Sequence, residues 1–166
     1  MSNAEISMPN SRDLRSAFSR FATGVTLVTA SSPSGPIGIT VNSFASVSLD
    51  PALVSFSLAN DGGRTQSFLT AEHYAIHVLD ASQLETCRAF VSSINAFATC
   101  DSTPNQHGVP VLHDALATFE CRRHATYPGG DHTIVLAEIE RYRWREGDAL
   151  GFFGGQLTAF HRASNT

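Results

Sequence analysis

The chain contains no lysine: all eleven of its cationic side chains are arginine. That absence excludes a Schiff-base lysine and a Walker-type phosphate lysine, and leaves Arg as the fixed cation for a phosphate or carboxylate. Cysteine is scarce. Cys87, Cys100 and Cys121 form an odd set with no C-x-x-C spacing, so neither a disulfide framework nor a zinc ribbon is expected. They are expected to be reduced thiols packed as small apolar groups. No stretch approaches the ~18 consecutive apolar residues of a membrane span. The opening MSNAEISMPN lacks the charged and apolar regions of a signal peptide. A cytoplasmic protein with no membrane attachment is therefore expected. A basic surplus is missing too, and a net charge of −4 argues against a nucleic-acid partner. G-x-G-x-x-G and G-x-S-x-G do not occur, which excludes a Rossmann-type dinucleotide site and a nucleophile elbow.

What is present fits one globular domain. The 166 residues are 42% hydrophobic and 16% charged, enough chain for a core of its own. Residues 11–162 are expected to form a single domain behind a frayed segment at 1–10. From Ser11, a plausible cap, the spacing of Leu14, Ala17, Phe18 and Phe21 predicts an amphipathic helix ended by Gly24. Strands are expected at Val25–Ala30 and Ile37–Phe44 around the turn Ser32-Pro33-Ser34-Gly35, then at Leu53–Leu58 and Tyr74–Leu79. Gly62-Gly63 introduces a short helix over 64–69. Ser82-Gln83-Leu84-Glu85 has capping-box spacing ahead of a helical face of Leu84, Cys87 and Val91. Residues 95–110 read mostly as loop. Strands at 115–122 and 133–144 follow, and a last hairpin joins Leu150–Phe153 to Leu157–His161. Six or seven strands without β-α-β alternation predict a mainly β fold with peripheral helices, an antiparallel barrel or sandwich.

Three stretches could carry chemistry. In Gly38–Ser48, Thr40, Asn42, Ser43, Ser46 and Ser48 crowd one strand end. Short polar side chains there leave backbone N–H groups accessible to a planar heterocycle with many acceptors, although an ordinary Ser/Thr-rich edge strand has the same composition. Asn60-Asp61-Gly62-Gly63-Arg64-Thr65 combines a glycine turn, a helix start, a cation and a hydroxyl, which suits a phosphate; a plain glycine turn with a solvated arginine is the alternative. Gly129-Gly130-Asp131-His132 is a tight turn delivering an imidazole to the start of a strand, where it could bond a cofactor or pin the turn. His73 and His77 would share one face of a strand, but no third ligand follows in H-E-x-x-H fashion, and no metal site is expected.

In this order and spacing the stretches resemble the flavin reductase-like FMN-binding family, the short reductase components of two-component flavin monooxygenases. The likeness runs over about residues 12–161. It is carried by Phe21-Ala22-Thr23-Gly24-Val25, Thr40-Val41-Asn42-Ser43-Phe44, Ser46-Val47-Ser48-Leu49-Asp50-Pro51 and Gly63-Arg64-Thr65. It continues through Leu116–Cys121 and Gly130-Asp131-His132 with Val135, Ala137-Glu138 and Ile139. The resemblance implies a Greek-key-like FMN-binding split β-barrel, present as a homodimer. It implies NAD(P)H:flavin oxidoreductase activity, with FMN or FAD reduced by NADH or NADPH and passed to a separate monooxygenase. It places Thr40, Val41, Asn42 and Ser43 at the isoalloxazine edge and Ser46 and Val47 along the ring or ribityl chain. Arg64 and Thr65 fall at the phosphate and His132 on the nicotinamide side; no residue is assigned as a general acid or base. The sequence departs from the family pattern at Gly62-Gly63, where a serine is common. It departs again at Phe152–Leu157, which lacks the usual arginine and tyrosine. Two alternatives stand beside this reading: a non-catalytic FMN-binding electron carrier, and another flavin oxidase on the same barrel, such as one of the pyridoxamine-phosphate type, whose phosphate sites usually include lysine.

Overall fold

The computed structural model of the chain describes residues 10–92 and 96–161. Of the expected frayed segment only Asn10 is among them, and it has a structural duty. Its side chain accepts the Asp13 N–H at 3.0 Å and caps helix α1, Ser11–Phe18. The cap is thus one residue earlier than Ser11, and α1 ends at Phe18 instead of Gly24. Thr23–Gly24 is instead a two-residue strand, β1.

The main sheet is built from β2 (Thr26–Ser32), β3 (Gly35–Val41), β4 (Ala45–Leu49), β5 (Ala52–Ala59), β6 (His73–Val78), β9 (Ala117–Gly129) and β10 (His132–Trp144). All its pairings are antiparallel, in the order β3-β2-β6-β9-β10-β5-β4. β3 and β4 are the two edges, yet only residues 42–44 separate them in the chain. Four Cα steps reach at most ~14 Å, whereas seven strands laid flat at ~4.8 Å spacing would hold their edges roughly 29 Å apart. The sheet therefore curls into a barrel. Across the seam Arg64, just after β5, donates Nη1 to the Gly38 carbonyl of β3 at 2.7 Å.

Inside the barrel Val28, Val54, Phe56, Leu58, Tyr74, Ile76 and Val135 form the main core. A second core lies outside β2, where Val25, Leu27, Leu79, Phe90 and Leu150 pack under α3, Leu84–Ser92. Five successive residues of β2 are buried because the strand is covered on both faces. Gly38 permits this covering: a Cβ there would lie 2.4 Å from the Phe90 ring. The short helix α2 (Thr65–Thr70) contributes Phe68 to the barrel core. β11 (Ala149–Phe153) and β12 (Gln156–Phe160) form the expected last hairpin and pair with β1.

Several boundaries differ from the sequence expectation, for physical reasons. β4 was read as a polar strand end because four of its five residues are exposed, so no alternating pattern marks it. β9 continues past residue 122 to Gly129, held by its ladder to β10 and not by burial. The stretch 95–110 contains a 3₁₀ turn, Ala96–Thr99, and β7 (Ser102–Pro104), which pairs with β8, Pro110–Leu112. The capping box is formed by Asp80 and Gln83, two residues before the expected one. On α3 Cys87 is buried and Leu84 half-buried, but Val91 is exposed.

Candidate functional site

The polar end of β3 passes into residues 42–44 at the barrel seam, and this passage is the centre of the site. Two cavities meet at Asn42. One, of about 490 Å³, is walled by Phe18, Phe21, Thr23, Asn42, Ser43 and Phe44. The other, of about 300 Å³, lies between Thr40-Val41-Asn42, the Cys87–Val91 face of α3, and Phe152 and Leu157 of the closing hairpin. Both volumes fall in the range of small-molecule pockets. The β3–β4 passage makes no backbone ladder. Instead Ser43 Oγ accepts the Ser57 N–H of β5 at 2.9 Å, so a side chain replaces the ladder bond. The backbone N–H groups of Asn42, Ser43 and Phe44 have no partner among the described residues. Phe44 turns inward and stacks on Phe119, with ring centroids 5.7 Å apart.

Thr23 Oγ1, at the wall of the larger cavity, is buried without a hydrogen-bond partner among the described residues. A buried orphan hydroxyl is costly unless a ligand completes it. With the unpaired N–H groups beside it and aromatic rings opposite, the cavity fits a planar, acceptor-rich heterocycle such as the isoalloxazine ring. The residues present therefore fit a flavin. Thr23 was missed as a site residue, although the F-A-T-G-V stretch that contains it was legible.

The other expected residues are distributed as follows. Ser46 and Val47 are on exposed β4, and Val47 occupies a bulge between Ser46 and Ser48 that aims it outward. Arg64 is half-buried and bonded to Gly38 O. Thr65 is buried and carries no unused donor: its N–H goes to Gly62 O at 3.0 Å and its hydroxyl to Ala59 O at 2.6 Å. Gly62 is required by that bond, since a Cβ would meet Thr65 Oγ1 at 2.5 Å. A phosphate at this turn would thus meet Arg64 first. His132 opens β10 opposite Ala59, with Nδ1 2.7 Å from Asp131 Oδ1. That hydrogen bond holds the exposed Asp131 carboxyl below its usual range, and it leaves His132 Nε2 without a partner among the described residues.

Asn60, which in the sequence only opens the glycine stretch, joins two of the stretches. Asn60 donates Nδ2 to Gly130 O at 3.1 Å, accepts the Thr133 hydroxyl at 2.8 Å, and sends its own N–H to Asp131 O at 2.9 Å. The turn bearing His132 and the glycine turn before Arg64 are consequently one unit. The three cysteines are free, and burial raises each thiol, Cys121 to about 12. None is poised as a nucleophile.

A closed antiparallel barrel with a heterocycle slot at its seam is the architecture of a flavin-binding split barrel. The family model of the flavin reductase like domain matches residues 18–161, and the chain belongs to that family. It is 49% identical over 165 residues to the FMN reductase (NADH) SmoA of Agrobacterium fabrum, spanning 98% of this chain and 95% of that protein. The solved structure of the Streptomyces globisporus NADH:FAD oxidoreductase SgcE6 in complex with NAD and FAD fragments superposes with a TM-score of 0.90 at 38% identity. That match covers 98% of this chain and 100% of the other. The reductase component of a flavin-dependent trigonelline monooxygenase of Acinetobacter baylyi is 36% identical over 146 residues, 87% of this chain; the chain spans about half of that longer relative, 47%.

Proposed function

We infer that the protein is an NADH-dependent flavin reductase that passes reduced FMN or FAD to a separate monooxygenase. The observation that carries this reading is the slot at Asn42, where unpaired backbone N–H groups stand beside the aromatic walls of Phe18 and Phe21. When bound, the flavin supplies the hydride acceptor for the nicotinamide. The chain's own work is then positioning and electrostatics. The N–H groups of residues 42–44 aim partial positive charge at the ring edge, where the reduced ring gains negative charge. Asn42, the residue common to both cavities, stands between the flavin slot and the second cavity, whose walls are largely apolar. Arg64 supplies the cation for the phosphate. His132, oriented by Asp131, offers Nε2 to the nicotinamide carboxamide. The stretch Thr40–Ser43 and Ser46-Val47 line the flavin path, and Thr65 acts through the turn it stabilises.

The working form is a homodimer in this reading. Leu14, Phe18 and Phe21 project from α1 and the segment behind it with 37%, 69% and 76% exposure, and Leu49 of β4 is 96% exposed. Phe18 and Phe21 also wall the larger cavity, so a second copy covering them would close the slot. Three free thiols suit a reducing compartment such as the cytoplasm. Among the described residues no helix is long and apolar enough to cross a membrane.

The test is steady-state oxidation of NADH and NADPH by the purified protein with FMN, FAD and riboflavin added in turn. Turnover that depends on added flavin supports the reductase. Tight flavin binding without turnover would instead identify an electron carrier.

A further inference from the structure

We propose that His73, His107 and Glu140 form a binding site for a divalent transition-metal ion of zinc's class, which clips the loop between β7 and β8 onto the outer face of the barrel. One ligand atom from each residue lies within 4.8 Å of the others. No local motif announces the site, because the fold gathers it from three separate segments. His73 begins β6, opposite Arg122 of β9. Glu140 falls where the β9–β10 register slips between Ile139 and Arg141, a bulge that re-aims the side chain. His107 comes from the β7–β8 loop.

That loop is held in shape before any ion arrives. Asn105 Oδ1 accepts the N–H groups of His107 at 2.9 Å and Val109 at 3.1 Å, and Asn105 Nδ2 donates to Glu120 of β9 at 2.7 Å. His107 is thereby laid flat on His73, with ring centroids 3.6 Å apart and planes 6° from parallel. Its Nε2 lies 3.9 Å from Glu140 Oε2. The other Glu140 oxygen faces Arg122 Nε at 3.6 Å. The carboxylate is thus steered from behind while one oxygen faces the imidazole, the arrangement by which outer groups orient metal ligands.

Two imidazoles and one carboxylate select a borderline ion such as Zn²⁺ over Mg²⁺ or Ca²⁺. Glu120, Glu138 and Glu140 outnumber Arg122 and Arg141 on this face, so the balance of charge is slightly acidic. Coordination at about 2.0–2.2 Å needs the ligand atoms nearer to one another. Stacked rings point their lone pairs side by side, so one ring must tilt. His107, on the loop, can do so by giving up its 3.1 Å contact with the Gln106 amide. The site is far from the flavin slot. Along β6, His73 is five residues from Val78, the partner of Thr26 beside the cavity, about 16 Å at the rise of a strand. The ion therefore strengthens the fold and takes no part in hydride transfer.

The experiment is calorimetric titration of EDTA-stripped, rebuffered protein with ZnCl₂, in parallel with MgCl₂. Wild type is expected to take up one equivalent of Zn²⁺, to melt at a higher temperature with it, and to keep its rate of NADH oxidation. His73→Asn, His107→Gln and Glu140→Gln should each weaken binding by more than about 10-fold and lose the thermal shift. His161→Gln, which alters an exposed histidine elsewhere, should change neither. Far-ultraviolet circular dichroism verifies that each variant is folded. No stoichiometric binding, or binding that survives the combined His73→Asn/His107→Gln change in a folded protein, overturns the proposal.

Discussion

The carboxamide of Asn60 accepts the Thr133 hydroxyl at 2.8 Å, and with the Asn60–Gly130 bond at 3.1 Å it fixes the His132 turn against the glycine turn that precedes Arg64. Asn60→Ala removes both side-chain bonds. At roughly 0.5–1.5 kcal/mol each, stability should fall by about 1–3 kcal/mol in urea titrations. The same variant should weaken FMN binding and NADH kinetics together, because both turns loosen. In a double-mutant cycle with His132→Ala the losses in kcat/KM should be less than additive; strict additivity would separate the two turns.

Arg64 is the fixed cation at the proposed phosphate. A charge-assisted contact is worth ~1.5–3 kcal/mol, so Arg64→Ala should weaken FMN binding by about 10- to 150-fold. Riboflavin, without a phosphate, should be nearly indifferent once the lost Gly38 bond is allowed for by comparing folded fractions. Equal losses for the two ligands would remove Arg64 from the phosphate.

Much of the fold was legible because the inner strands are apolar runs, continuous in β2 and β6 and partly alternating in β5, and little was where pairing alone holds a strand. Val54, Phe56 and Leu58 announce β5, and all three are core residues. β4 and the far half of β9 are exposed ladders with no apolar rhythm, so composition conceals them. The capping box illustrates a local ambiguity: Asp80/Gln83 and Ser82/Glu85 satisfy the same spacing rule, and packing decides between them. At the site, Thr40–Ser43 and His132 stood out as polar groups on a strand end and a turn. Asn60 did not, because the groups it joins are remote in sequence, and Thr23 did not, because only the fold buries its hydroxyl without a partner among the described residues. His73, His107 and Glu140 likewise come together only in the fold.

His77 gives the fold a dependence on pH. It is fully buried; Nδ1 bonds Leu27 O at 3.0 Å and Nε2 accepts the Leu112 N–H at 3.1 Å. Burial lowers its pKa to about 4, below the ~6.5 of an unfolded chain. As pH falls the unfolded state takes the proton first. The His77 contribution is therefore complete above ~6.5 and is lost between there and about 4, a change of about 3 kcal/mol. Denaturant midpoints from pH 4 to 7.5 check this, and His77→Gln should flatten that slope. An unchanged slope would assign the acid sensitivity elsewhere.

The proposed dimer rests on the exposed apolar side chains on α1 and β4. Sedimentation equilibrium at micromolar concentration should give about twice 17.8 kDa. Phe18→Glu and Leu49→Glu together should shift the protein toward monomer and weaken flavin binding; a wild-type monomer with full turnover would contradict the closed slot.

In the proposed function His132 is the residue that meets the nicotinamide. His132→Ala should lower kcat/KM for NADH by the loss of one oriented hydrogen bond, ~0.5–1.5 kcal/mol, while flavin Kd and Tm stay nearly constant. A lower Tm with an unchanged rate per folded molecule would mean that the imidazole only pins its turn.

Hydride passes from NADH to flavin, in the proposed function at the seam of the barrel. Anaerobic stopped-flow mixing of the protein with NADH and FMN tests it most directly. The oxidised flavin should bleach with one NADH consumed per flavin, at a rate set by enzyme concentration. Flavin that binds and stays oxidised in the presence of excess NADH and NADPH would contradict it.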